Sequence, residues 1–262
     1  FSRDGKYVAY VSFPDGILWR ANRDGSGIVQ LSEPPFYPRN PRWSPDGSQI
    51  LFTDNTQTGV DAIYVVSSQG GTPKRLLGED GGPQSLADWS PDGTKVVYCT
   101  YGVFSSVPRV ARKSETRIVE LATGKLTILP AYSKGFWAPL WSPDGRYIAG
   151  HSFDGREIVA FDLKTGVWRT LSHSGVIDFH SWSHDGRFIY IIRSPEGRMG
   201  VYLGVYRIQV PEGKEDLVFD LPESFRGTGW YGFWMSLDPT DAPLLFRDVG
   251  TDEIYALTLE QK

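Results

Sequence analysis

The chain is poor in sulfur and imidazole, with one cysteine, two methionines and four histidines in 262 residues. The lone thiol, Cys99, excludes an internal disulfide and a cysteine metal cluster. Its place in Val96-Val97-Tyr98-Cys99 reads as a buried structural thiol. Positive charge is not in surplus either. Lys and Arg number 27 against 31 Asp and Glu, for a net charge of −4, with no basic block. That excludes the broad positive surface by which a domain holds nucleic acid. No apolar run is long enough to cross a membrane as a helix, and no secretory leader is visible within these residues. Helical periodicity longer than a turn or two is missing, which removes the α/β alternatives.

Turn formers and aromatics are abundant: 29 Gly, 18 Pro, 9 Trp, 13 Tyr and 14 Phe. They are organised by a repeated phrase. Trp-Ser-Pro-Asp-Gly occurs at 43–47, 89–93 and 141–145. Variants start at Phe1 (F-S-R-D-G) and Trp182 (W-S-H-D-G), and a degenerate copy starts at Leu237. Ser suits the first position of a type I turn, Pro presets φ at the second, Asp tolerates the third and Gly suits the fourth. Gly47, Gly93 and Gly145 are expected at positive φ, bulging into the next strand. Apolar runs such as Gln49-Ile50-Leu51-Phe52 and Lys95-Val96-Val97-Tyr98 follow each turn and read as strands. Each unit then shows a second apolar strand (Ile63–Val66, Ile158–Phe161, Val205–Ile208), a polar turn and a last short strand.

Four strands per unit and about 40–55 residues per unit is the period of a propeller blade. The sequence therefore predicts an all-β, six-bladed β-propeller of four-stranded antiparallel blades in a single domain, 1–262. The blades are expected at about 1–38, 39–84, 85–136, 137–177, 178–230 and 231–262. The chain opens inside a repeat, so the last blade is expected to be completed by residues upstream of Phe1 or left incomplete, with at most three strands from residues 230–262.

The W-S-P-D-G phrases, Ile63-Tyr64-Val65-Val66 and Gly70-Gly71-Thr72-Pro73 resemble the TolB-type six-bladed propellers built from Pro-Asp repeats. "LWRANRDGSGIVQL", "WSPDGRYIAG" and "FRDVGTDEIYAL" also look like the propellers at the C-terminal end of bacterial regulators that carry a kinase or winged-helix domain. No kinase motif occurs in this chain. The resemblance implies a non-catalytic protein-interaction or sensory module, part of a larger envelope or signalling protein, with a periplasmic or envelope location. The partner would be another protein or a subunit of a larger complex.

A catalytic site is not legible. The G-x-S-x-G of propeller-bearing peptidases is absent. Asp88, just before Trp89, faces a central channel in this reading. Its counterparts Arg42, Leu140, Ser181 and Ser236 do not make an oxygen cage for a cation. No cofactor or metal is expected. The repeated Asp46, Asp92, Asp144 and Asp185 are explained by turn chemistry. His180 precedes Ser181-Trp182 on an inner strand, and His184 replaces a turn proline; neither has a nucleophile or zinc-ligand spacing. The alternative function is a lactonase-like or other hydrolase using the channel.

Loop parity supplies the binding expectation. Antiparallel strands place the first-to-second and third-to-fourth turns on one face, and all of these are short. The long connections share the other face, where binding usually resides. Their aromatic and Arg residues have the composition of interface hot spots. The expected partner-binding residues are Phe36, Tyr37, Arg39, Tyr101, Phe104, Arg109, Arg112, Phe136, Phe225, Arg226, Trp230 and Tyr231.

Overall fold

The computed structural model describes residues 1–56, 59–78, 82–100, 114–173, 175–194, 203–222, 225 and 235–245. Every regular element among them is a strand, and each strand pairs antiparallel with its neighbour in sequence. The first sheet holds β1 (Tyr7–Val11), β2 (Leu18–Asn22) and β3 (Val29–Gln30). The second holds β4 (Arg39–Trp43), β5 (Gln49–Asp54), β6 (Ala62–Ser67) and β7 (Lys74–Arg75). In the third are β8 (Ser85–Trp89), β9 (Lys95–Cys99), β10 (Thr116–Glu120) and β11 (Leu126–Ile128). The fourth comprises β12 (Phe136–Trp141), β13 (Tyr147–Ser152), β14 (Ile158–Asp162) and β15 (Val167–Ser172). The fifth comprises β16 (Val176–Trp182), β17 (Phe188–Ser194), β18 (Gly204–Gln209) and β19 (Glu215–Asp220). A two-stranded sheet, β20 (Met235–Leu237) with β21 (Pro243–Leu245), follows.

The architecture is a β-propeller. The expected six full blades are not all met among the described residues. Four sheets have four strands, the first has three, and the sixth unit is a two-stranded hairpin. In the first sheet β1 follows the turn that contains Phe1, so it corresponds to the second strand of the four-stranded sheets. The apolar run Glu253–Leu257, expected as a strand of the last unit, lies outside the described residues.

The core is a set of layers between successive sheets. In β5, Ile50 and Phe52 join Leu18 and Leu31 of the first sheet, whereas Leu51 joins Ala87 and Trp89 of the third. In β13, Tyr147 and Ala149 face the fifth sheet, and Ile148 faces the third. Successive side chains of a strand point to opposite faces, and here both faces are covered. Central strands such as Ile158–Asp162 are therefore buried at every position, and their sequences run apolar instead of alternating.

The repeated phrase builds one hydrogen-bonded device. Ser44 Oγ donates to Asp46 Oδ1 at 2.6 Å and accepts the Gln49 N–H at 2.9 Å. Asp46 Oδ1 also takes the Ser48 N–H, and the Gly47 N–H reaches the Ser44 carbonyl. The device recurs at Ser2, Ser90, Ser142 and Ser183. Gly47, Gly93 and Gly145 adopt φ of 71°, 70° and 77°, as expected for turns that end in a bulge. A further copy, Ser152-Phe153-Asp154-Gly155, sits between β13 and β14.

The turns also touch one another around the ring. A Cβ on Gly93 would lie 3.7 Å from Pro45, one on Gly145 3.9 Å from Pro91, and one on Gly186 3.4 Å from Pro143. Each of these three turns thus packs its glycine on the proline of the preceding sheet's turn. His184 stands at the fifth proline position and meets the hairpin through Asp241: its backbone N–H and its Nδ1 reach Oδ1 at 2.9 and 2.5 Å. The hairpin's Pro239 in turn packs against Gly5 of the first sheet. The hairpin therefore occupies the place between the fifth sheet and the first.

Candidate functional site

Two regions are candidates for a functional site: the face expected to carry the long connections and the mouth of the channel on the turn face. On the first, Tyr101, Phe104, Arg109, Arg112, Arg226, Trp230 and Tyr231 lie outside the described residues. The other five expected contact residues are placed, and they are packed. Phe36 meets the rings of Phe52 and Tyr64 edge-on, with centroids 6.0 and 5.1 Å apart. Tyr37 donates its backbone N–H to Asp54 at 2.8 Å, and its ring fills the space beside Gly16. Arg39 is 8% exposed and pairs with the buried Asp61 at 2.7 Å. Phe136 and Phe225 are buried in the layers between sheets. Aromatic composition on inter-sheet connections thus reports packing at these positions, because each connection must also seal the end of a layer.

Sequence reasoning missed a polar cluster on the same face. Glu157, buried at the start of β14, accepts hydrogen bonds from the Tyr132 hydroxyl at 2.8 Å and from Lys134, and lies 2.9 Å from His173 Nδ1. Burial works to raise its carboxyl, but the Lys134 and Tyr132 bonds outweigh it and hold it below the usual range. No spacing signals this cluster, since the four residues come from three separate segments.

At the other end the inner strands converge. Each of the three strands β4, β8 and β12 has a bulge three residues before its anchor tryptophan. There the pairing register shifts and Asn40, Leu86 and Ala138 take φ of 50°, 53° and 54°. A bulge bends its strand and re-aims the residues after it. Those residues are Arg42, Asp88 and Leu140, the channel positions named from the sequence. The bulges themselves were illegible, because Leu and Ala do not advertise a left-handed backbone.

A cavity of about 260 Å³ opens at this mouth, walled by Trp43, Trp89, Trp141 and Trp182 with Arg42 and Asp88 among its lining. Three indoles are tied to backbone carbonyls: Trp89 to Arg42 at 3.3 Å, Trp182 to Leu140 at 3.2 Å, and Trp141 to Gly145 at 3.1 Å. The first two bonds cross from one sheet to the sheet before it, so the tryptophans are struts as well as wall. Asp88 Oδ2 accepts the backbone N–H of Trp141 at 2.8 Å, joining the third sheet to the fourth. Burial raises the Asp88 carboxyl, opposed by Arg42 and by the N–H groups of Trp141 and Trp89.

Deeper between the fourth and fifth sheets, His151 of β13 and His180 of β16 share a hydrogen bond, Nδ1 of His180 lying 2.7 Å from Nε2 of His151. Both rings are buried, and Trp137 lies 5.3 Å from His151. Burial pushes His151 down to about 3. Burial, the His151 neighbour and Arg42 push His180 well below its ordinary value. Both rings are thus neutral at physiological pH. Cys99 is buried as expected, its thiol pushed up to about 12 by burial. Among the described residues no group of three or more His, Cys, Asp or Glu could hold a metal ion, and no helix is long and apolar enough to cross a membrane.

No family model matches the chain. Over 126 residues, 48% of the chain, it is 31% identical to Tricorn protease homolog 1 of Streptomyces coelicolor, covering 11% of that protein. It is 31% identical over 151 residues to the Uncharacterized protein Atu1656 of Agrobacterium fabrum, covering 56% of the chain and 47% of that protein. It is 24% identical over 185 residues to the Uncharacterized peptidase YuxL of Bacillus subtilis, covering 28% of that protein. The chain thus spans less than half the length of these curated relatives. Among solved structures, a putative TolB from Agrobacterium tumefaciens superposes with a TM-score of 0.72 at 24% identity, covering 94% of the chain and 87% of that one. TolB from Acinetobacter baumannii gives 0.68 at 18% identity, covering 93% and 64%. Inter-sheet layers, antiparallel sheets and these superpositions together make the fold a TolB-like β-propeller.

Proposed function

We propose that the chain is a non-catalytic protein-interaction module within a larger envelope or signalling protein, and that its partner is held on the face of the long connections. The observation that carries this reading is the strand order. Every sheet runs in sequence order with antiparallel neighbours, so the turns that follow the anchor aromatics Trp43, Trp89, Trp141 and Trp182 share one face. The strand ends that flank the longest connections, Cys99 and Thr116, Ser194 and Gly204, and Asp220 and Met235, lie toward the opposite face. Long connections grouped on one side of a rigid scaffold are where recognition concentrates. In this reading the β20–β21 hairpin is the inner part of a sixth blade, since it already stands between the fifth sheet and the first. An envelope location goes with the TolB-like fold.

The test pairs capture of a partner from source-cell lysate with two sets of variants. Tyr101→Ala, Arg109→Ala and Tyr231→Ala should each weaken capture by thirtyfold or so, the effect of losing about 2 kcal/mol at a hot spot. Lys125→Ala and Lys164→Ala, exposed on the turn face, should leave it unchanged. Arg146 is unsuitable as a control because it pairs with the buried Asp162 at 2.9 Å. Weakening by the lysine variants alone would place the partner on the turn face. Turnover of a peptide or lactone by the purified chain would replace the binding reading with a hydrolase.

A further inference from the structure

The channel mouth on the turn face is not used by the proposed partner face, and its chemistry is specific. Among the described residues the Arg42 side chain makes no hydrogen bond and no ion pair, although it lines the cavity and is only partly exposed. The Asp88 carboxyl feels the Arg42 charge but makes its hydrogen bond to the Trp141 N–H. His184, at the rim, is committed to Asp241. Arg3, also at the rim, adds a second positive charge. Around these polar groups the wall is indole and proline.

The geometry points to a binding site for a small carboxylate at this mouth, its carboxylate on the Arg42 guanidinium and its apolar group against Trp43, Trp89 and Trp141. A guanidinium fork matches a planar carboxylate with two parallel hydrogen bonds. A dianion such as phosphate would meet the Asp88 carboxylate in the same lining. The hydrocarbon wall would also be left without an occupant. The cavity, about 260 Å³, is smaller than those that take drug-sized ligands, which start near 300 Å³. It suits a ligand the size of one apolar amino-acid residue. That carboxylate can be a free organic or amino acid, or the C-terminal residue of a peptide.

The probes are N-acetyl-leucine, its amide, a tetrapeptide ending in leucine, and inorganic phosphate, each titrated into the full chain by calorimetry and followed by tryptophan fluorescence. N-acetyl-leucine should bind saturably, at least tenfold tighter than the amide and tighter than phosphate. Arg42→Met should weaken N-acetyl-leucine at least tenfold with an unchanged melting temperature, and Arg42→Lys should recover part of the loss. A tetrapeptide that binds much tighter than N-acetyl-leucine identifies a peptide terminus as the source; equal affinities identify a free acid. The proposal is overturned by equal binding of acid and amide, by binding that ignores Arg42→Met, by preference for phosphate, or by no saturation at roughly 10 mM, weaker than about 3 kcal/mol. If Arg42→Met fails to fold, the comparison of acid with amide on the unaltered protein still decides.

Discussion

Replacing Arg39 separates a contact residue from a structural one. Its guanidinium lies 2.7 Å from Asp61, with the two side chains 7% and 2% exposed. Arg39→Met keeps the volume of the stem and removes the charge, so the buried Asp61 loses its guanidinium partner. Breaking a buried pair from one side costs about 3–5 kcal/mol, because the remaining charge is uncompensated. The double variant Arg39→Met/Asp61→Leu removes both charges and should recover most of that loss. Urea unfolding followed by tryptophan emission measures it. With a slope of about 3 kcal/mol per molar, the single variant should move the midpoint down by about 1–1.7 M, and the double variant should return it to within a few tenths. An Arg39→Met protein less than about 1 kcal/mol weaker than the parent would refute the argument. So would equal losses in the single and double variants. If stability is untouched and only partner capture falls, Arg39 belongs to the interface after all.

Four further outcomes are expected. Gly93→Val should cost about 1–3 kcal/mol from its φ of 70° alone, and a melting temperature equal to the parent's would remove the strain argument. Gly150→Ala should cost as much or more for a different reason: its Cβ would sit 2.5 Å from the Trp137 carbonyl, an overpacking that the backbone must move to relieve. Asp88→Ala strips the Trp141 N–H of its acceptor and should cost about 1–3 kcal/mol at pH 7, whereas Asp88→Asn keeps an acceptor and should cost less; the reverse order would show that the tie between third and fourth sheets is unimportant. His151 is neutral when folded, with its proton affinity depressed to about 3, while the unfolded chain protonates it near 6.5. Its contribution is present above that value and is lost as pH falls toward 3, at about 1.4 kcal/mol per pH unit. Urea midpoints from pH 7 to pH 4 should show at least that slope, since His180 is depressed as well, and the slope should be shallower in His151→Asn by about 1.4 kcal/mol per pH unit.

The sequence by itself determined the elements that rest on local chemistry. Ser44-Pro45-Asp46-Gly47 and its copies are turns because the serine hydroxyl, the aspartate carboxylate and the glycine backbone satisfy one another within five residues. Their recurrence at a blade's period identified the repeat and, through it, the propeller. The short strands after each turn were equally legible, since continuous apolar runs mark strands covered on both faces. Tertiary structure alone decided what those residues meet. Nothing near Leu86 or Ala138 in the chain announces a bulge; it exists only in the pairing of inner with second strands, and it lies just before Arg42 and Asp88 at the channel mouth. The His151–His180 pair joins residues 29 apart from different sheets, and Arg39 looked like a surface charge until Asp61 closed over it. Turn chemistry acts over a few bonds and can be read in order along the chain. Burial and pairing depend on which sheet packs beside which, a relation that exists only once the ring of sheets has formed.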